Sequence, residues 1–181
     1  VANSLDEKAK DGYRYSNTTC TKDEDINDNQ VVSGTVITLH YEDIRTTYTV
    51  EHYKENPESP NEYERVDADV QVINCVKGEI VTATPKTKAD YPGYVFDDTI
   101  PGTIVSGTVP ESGILILKLY YKKDDTQTKP VSYKVQHKYE NSSSSESRIL
   151  YEETYTKDVW LNAADSITIA EGTLEPAVYD G

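Results

Sequence analysis

Asp23, Asp25, Asn27 and Asn29 place oxygen donors at alternate positions of "DEDINDNQ". Loops that wrap calcium space their ligands this way. The match is incomplete. The sixth position is Asp28 where an EF-hand turn needs Gly, and the twelfth is Gly34 where a bidentate Glu belongs. Two readings stay open, a calcium loop and a solvated acidic loop; calcium is the one cofactor the sequence suggests. The thiols of Cys20 and Cys75 are too few for a zinc site, which takes about four ligands. They are either a disulfide suited to an oxidising exterior or two free thiols. Trp160 and Tyr91 are aromatic surfaces on which a sugar ring can stack, or else core rings. Three His exist, His40, His52 and His137. No Gly-x-Ser-x-Gly elbow, phosphate loop or His-Glu-x-x-His accompanies them. The expectation is a protein without catalysis of its own.

Charge narrows the partners. Lys and Arg number 18 against 32 Asp and Glu, a formal net charge of −14. Such a surface repels phosphate backbones and anionic lipid, so neither nucleic acid nor membrane is an expected partner. No apolar run is long enough to span a bilayer. The chain has no Met, which leads to the expectation of a mature fragment or an excised piece. Tyr dominates the aromatics, with 15 against one Phe and one Trp. Tyr suits thin sheets because it buries a ring and keeps its hydroxyl wet.

The elements that must hold these residues are written more than once. Tyr48-Thr49-Val50-Glu51-His52-Tyr53-Lys54-Glu55-Asn56 returns as Tyr133-Lys134-Val135-Gln136-His137-Lys138-Tyr139-Glu140-Asn141. Gly-Tyr-x-aromatic stands at Gly12 and again at Gly93, and "VITLHYED" from Val36 returns as "ILKLYYKK" from Ile116. The unit is about 80 to 85 residues, and the chain begins and ends inside one. Residues 1–46 read as the closing half of a first repeat, 47–128 as a complete repeat and 129–181 as the opening part of a third. An alternative phase gives two bodies, 13–93 and 94–181. His52 and His137 share a repeat position, which marks them as half-buried strand residues: an active site is built once, whereas a scaffold position recurs.

Period-2 patterning predicts a mainly β or α+β fold of small tandem domains. "ILILKLYY" puts Leu115, Leu117, Leu119 and Tyr121 on one face. "SYKVQHKYE" puts Tyr133, Val135, His137 and Tyr139 on one face and Lys134, Gln136 and Lys138 on the other. "ADVQVINCV" and "GEIVTATPK" predict further strands, and "SPNEYERV" one short helical turn. "KKDDTQTKP" reads as a polar junction and "ENSSSSES" as a loop tip between strands. Trp160 falls near the repeat position of Cys75, which points to the core.

The boxes "YTVEHYKEN…GEIVTATPKTKADYPGY…VSGT…GILILKLYY" resemble the mucin-binding-protein (MucBP) repeats of Gram-positive cell-surface adhesins. The resemblance covers nearly all of 47–124 and parts of both flanks. It implies β-grasp-like (ubiquitin-like) sheets arranged end to end, in a secreted, cell-wall-anchored protein on the bacterial surface. It implies cell adhesion through host mucin, glycoprotein or glycan, by a monomer within a longer multi-repeat chain. The first repeat lacks the "VPESG" spacer and the third replaces the Val-Thr-Ala run with "SITIAEG", so loop contacts do not transfer. A passive structural stalk and an accessory domain of a large secreted enzyme are the alternative readings.

Overall fold

The computed structural model describes residues 11–21, 33–140 and 143–170. It is almost entirely β, and no α-helix occurs among the described residues. The strands are β1 (Tyr13–Cys20), β2 (Ile37–Asp43), β3 (Arg45–Asn56), β4 (Ser59–Arg65), β5 (Gln71–Val76), β6 (Ile80–Thr82), β7 (Tyr94–Phe96), β8 (Ser106–Thr108), β9 (Leu115–Lys123), β10 (Thr128–Glu140) and β11 (Ser147–Trp160). Two hairpins stand as two-stranded sheets, β1-β2 and β10-β11, and β6 pairs with β8. A five-stranded sheet runs β4-β3-β9-β7, with β5 also on β3.

By contacts the chain divides into two compact units, Val1–Tyr53 with Glu64–Pro85 and Asp98–Tyr120, and Lys54–Tyr63 with Lys86–Asp97 and Tyr121–Gly181. In the first, alternate residues of β3 and β9 form the core. Tyr48, Val50, His52, Leu117 and Leu119 are buried with Val81, Ala83 and Val109. Each of these Val and Leu side chains contributes about 1.5–3 kcal/mol by leaving water. The β6 and β8 backbones are extended by Ala83 N donating to Val105 O at 2.8 Å and Val109 N to Glu79 O at 2.8 Å. In the second unit Tyr121 is fully buried. Tyr91 and Phe96 meet it edge-on at 4.8 and 5.8 Å, and its hydroxyl accepts from Lys86 N at 2.8 Å.

The predicted face of β9 is present: Leu117, Leu119 and Tyr121 are fully buried and Leu115 half-buried. On β10, Tyr133, Val135 and His137 are half-buried while Lys134, Gln136 and Lys138 are exposed, and Tyr139 is exposed as well. The "ENSSSSES" stretch joins β10 to β11. Two expectations need correction. "SPNEYERV" is strand β4 and not a helical turn, because it pairs back onto β3; Asn61 takes a positive φ of 69° within it. A 3-10 turn lies just beyond, at Asp67–Asp69. "GEIVTATPK" yields only the three residues of β6, since Pro85 has no N–H to extend a ladder.

Candidate functional site

The duplicated boxes take matching positions in the pairing of their strands. Tyr13 pairs with Asp43 and Tyr15 with Tyr41 on β1-β2. Their counterparts Tyr94 and Phe96 pair with Lys123 and Tyr121 on β7-β9. The aromatic pair recurs edge-on: Tyr15 and Tyr41 at 6.0 Å, Phe96 and Tyr121 at 5.8 Å. On the opening side, Tyr48 faces Ile73 and Val50 faces Gln71. Tyr133 faces Tyr155 and Val135 faces Glu153 in the matching register. Hairpin β10-β11 is therefore the β3-β5 hairpin written without the interruption at Asp67–Asp69. This register also moves Trp160. It is Lys157 that matches Cys75, each opposite an equivalent residue, Val131 and Thr46. Trp160 lies three residues further on, opposite Thr128 at the base of its hairpin.

The Gly-Tyr boxes sit where one repeat passes into the next. Gly12 has φ +83° and Gly93 +82°, a left-handed conformation that favours Gly. Gly12 O accepts from Ile44 N at 3.0 Å, and Gly93 O from Asp124 N at 2.9 Å. Ile44 and Asp124 are the first residues after β2 and β9, so each bond adds a rung to the ladder of its strand pair. A side chain from beyond that strand then closes over the Gly. At the first junction it is Arg45, whose Cγ is 2.5 Å from where a Gly12 Cβ would stand. Arg45 donates to Tyr13 OH at 3.0 Å and to both Asp43 oxygens at 2.9 and 2.6 Å. These bonds hold the exposed Asp43 carboxyl down at about 2.

At the second junction Trp160 Nε1 donates to Gly93 O at 2.9 Å, and the indole meets Tyr94 edge-on at 5.5 Å. Asn162 Nδ2 donates to Pro92 O at 2.6 Å. The "KKDDTQTKP" junction is polar, as predicted, yet its Asp124 is only 8% exposed. Asp124 accepts from Lys88 Nζ at 2.7 Å, from Thr126 N at 3.1 Å and Thr126 Oγ1 at 2.5 Å, and from Gln127 Nε2 at 2.9 Å. The Lys88 bond, followed by those of Thr126 and Gln127, holds its carboxyl far below the usual carboxylate range. Gln127 in turn accepts from Gly93 N at 3.0 Å. The stretch read as a polar junction is a hydrogen-bonded clasp.

One cluster belongs to the complete repeat alone. Tyr53 and Tyr120 are half-buried and stack at 4.7 Å, 15° from parallel. Tyr53 OH donates to Glu51 Oε2 at 2.5 Å, and Arg65 Nη1 to Glu51 Oε1 at 3.0 Å. Lys118 Nζ lies 5.9 Å from the Tyr53 ring centre. The Tyr53 hydrogen bond, then the Arg65 pair, hold the Glu51 carboxyl down. Burial, then the bond to Glu51, push the Tyr53 hydroxyl up to about 12. The cluster joins ring surface, a carboxylate acceptor and two cationic donors. Polar groups around aromatic surface are the parts from which sugar contacts are made. Gln136 and Lys138 replace Glu51 and Tyr53 in the third repeat, and Thr38 and His40 replace Lys118 and Tyr120 in the first. Sequence reading missed the cluster because it followed positions that recur. The signal was the reverse: Glu51 and Tyr53 alternate on the face of β3 opposite Val50 and His52, which are the positions that repeat.

The residues singled out by sequence are dispersed. Asp23, Asp25, Asn27 and Asn29 lie outside the described residues. Cys20 lies on β1 and Cys75 on β5, both half-buried. Burial pushes the Cys75 thiol up, away from reactivity. Tyr91 is 4% exposed with Lys54 Nζ 3.9 Å from its ring centre, so it is a core ring with no face left for a sugar. Trp160 is half-buried and spends its N–H on Gly93. His52 is 1% exposed, deeper than the half-burial expected, because β3 lies inside a sheet; His137, on a hairpin of two strands, is half-buried. No protein-family model, curated protein or solved structure matches this chain.

Proposed function

We propose that this chain is part of the repeat region of a bacterial cell-surface adhesin, built from small β-grasp-like bodies set end to end. Its role is to carry and space contacts with host mucin, glycoprotein or glycan outside the cell, without catalysis. The observation that supports this best is the duplicated clasp. Two Gly-Tyr boxes are each held by the same backbone bond to the residue that follows the closing strand, Ile44 to Gly12 and Asp124 to Gly93. Residues shared between repeats thus serve shape. Small-angle scattering tests the spacing role. A maximum dimension that shortens when Asp124 and Gln127 are replaced by Gly and Ser supports it; one that stays unchanged counts against a clasped spacer.

The cluster of Glu51, Tyr53, Arg65, Lys118 and Tyr120 supports the contact role, since it is the part of the complete repeat that its neighbours lack. Binding to immobilised mucin and to a glycan array tests it, with Tyr120→Ala beside the parent chain. Loss of binding in Tyr120→Ala, with the melting temperature retained, supports the cluster. Equal binding by both chains removes it, and no binding by either leaves the spacing role as the whole function.

A further inference from the structure

The chain enters the complete repeat at β3 and leaves it at β9, and these two strands are neighbours in the five-stranded sheet. Their relative direction follows from the residues that meet across them. Tyr53 stacks on Tyr120 at 4.7 Å. Further along both strands, Glu55 Oε2 accepts from Lys123 N at 2.8 Å. Further back on both, the Lys118 charge helps to hold the Glu51 carboxyl down. Residue numbers rise together on the two strands, so β3 and β9 run parallel. Arg45, where β3 starts, and Lys123, where β9 stops, therefore stand toward opposite ends of the pair.

We propose that the complete repeat is a tension-resisting link, a module that stays folded when the chain is pulled along its length. Tension drawn through the chain pulls β3 toward its Arg45 end and β9 toward its Lys123 end. The two strands can then part only by sliding past one another. In sliding, the hydrogen bonds between them share the pull and must fail together; in peeling, they fail one at a time. The bonds are also sheltered. Tyr48, Val50, His52, Leu117 and Leu119 are buried on one face of the pair. The half-buried Tyr53–Tyr120 stack covers part of the other. Where water is kept out, it cannot replace a stretched hydrogen bond, and breaking that bond costs more. Strand order and direction within one repeat suffice for this device. It goes beyond a spacing role, which needs length alone, and is independent of any glycan.

Single-molecule force spectroscopy of the 181-residue chain tests it in two geometries. Forced unfolding reports the barrier that the pull must cross. In the first geometry the handles are tags at the two chain ends, so tension crosses the repeat from β3 to β9. In the second they are thiols introduced by Glu58→Cys and Asp125→Cys, with Cys20→Ala and Cys75→Ala removing the native ones. Glu58 follows β3 and Asp125 follows β9, and both are exposed. A pull between them opens the same strand pair from one end, by peeling. The substituted chain is pulled in both geometries, so a loss of stability weighs on both alike. Its thermal melt checks folding, and Pro57→Cys replaces Glu58→Cys if the melt is lost. The unfolding event of the repeat is recognised by the length of chain it releases. The force is expected to be severalfold higher from the chain ends than from the introduced thiols. Equal forces overturn the proposal. So does a higher force in the second geometry, which would mean that β3 and β9 run antiparallel.

Discussion

Leu119 and Leu39 are the same residue at the same repeat position, and their surroundings differ. Leu119 is fully buried in the complete repeat, whereas Leu39 is half-buried on a two-stranded hairpin. Leu119→Ala removes apolar volume from a packed core and leaves a cavity, at a cost of about 2–5 kcal/mol. For a body of this size each kcal/mol moves the melting temperature by about 4–8 °C, so a loss near ~3 kcal/mol lowers it by roughly 12–24 °C. Leu39→Ala loses only part of the transfer term and leaves no closed cavity, so its cost is about 1 kcal/mol or less. Differential scanning calorimetry of both variants at low concentration separates the two cases. Equal shifts, or a larger shift for Leu39→Ala, would refute the view that burial at this position follows the number of strands beside it.

Three further outcomes follow from the junctions. Asp124 and Asp43 have folded pKa values below the unfolded carboxylate value of about 3.9. The unfolded chain therefore binds more protons in acid, and stability is complete above about pH 5 and falls as pH drops toward 2. Thermal melts of Asp124→Asn are expected to show lower stability at neutral pH and a shallower decline in acid; an unchanged slope would count against the clasp. Gly93→Ala adds a Cβ 2.4 Å from Asn162 Nδ2 and 3.1 Å from Trp160 Cζ2, at φ +82°. Gly34→Ala meets nothing within 4 Å at φ +87° and incurs only the backbone term, about 1–2 kcal/mol. Urea titration is expected to show the larger loss for Gly93→Ala. Trp160 is the only Trp, and emission that shifts to the red in Asp124→Asn while the main melt persists would report an opened junction.

What sequence could convey here was periodicity and recurrence. Leu117, Leu119 and Tyr121 were legible because one wet and one dry face force alternation. The pairing of Tyr13 with Asp43 and Tyr94 with Lys123 was implicit in boxes at nearly constant spacing. Burial depth was not legible. His52 and His137 stand in matching words, and which is sealed depends on the number of strands beside them. The clasp was hidden because Asp124, Thr126 and Gln127 are residues that also favour solvated turns; only the position of Lys88 and Gly93 turns them inward. The Tyr53–Tyr120 stack was invisible because its two strands are distant in the chain. Trp160 was misplaced because the insertion at Asp67–Asp69 shifts the repeat offset along β11.

The central claim is that matching residues of recurring boxes differ in protection with the number of strands beside them. Amide hydrogen exchange by NMR measures this directly. Amides of Val50 and Leu119 are expected to exchange about a thousandfold or more slower than those of Val135 and Leu39, since core strands open only at the global free energy, about 5 kcal/mol or more for a stable domain. Equal protection at the four positions would contradict the claim.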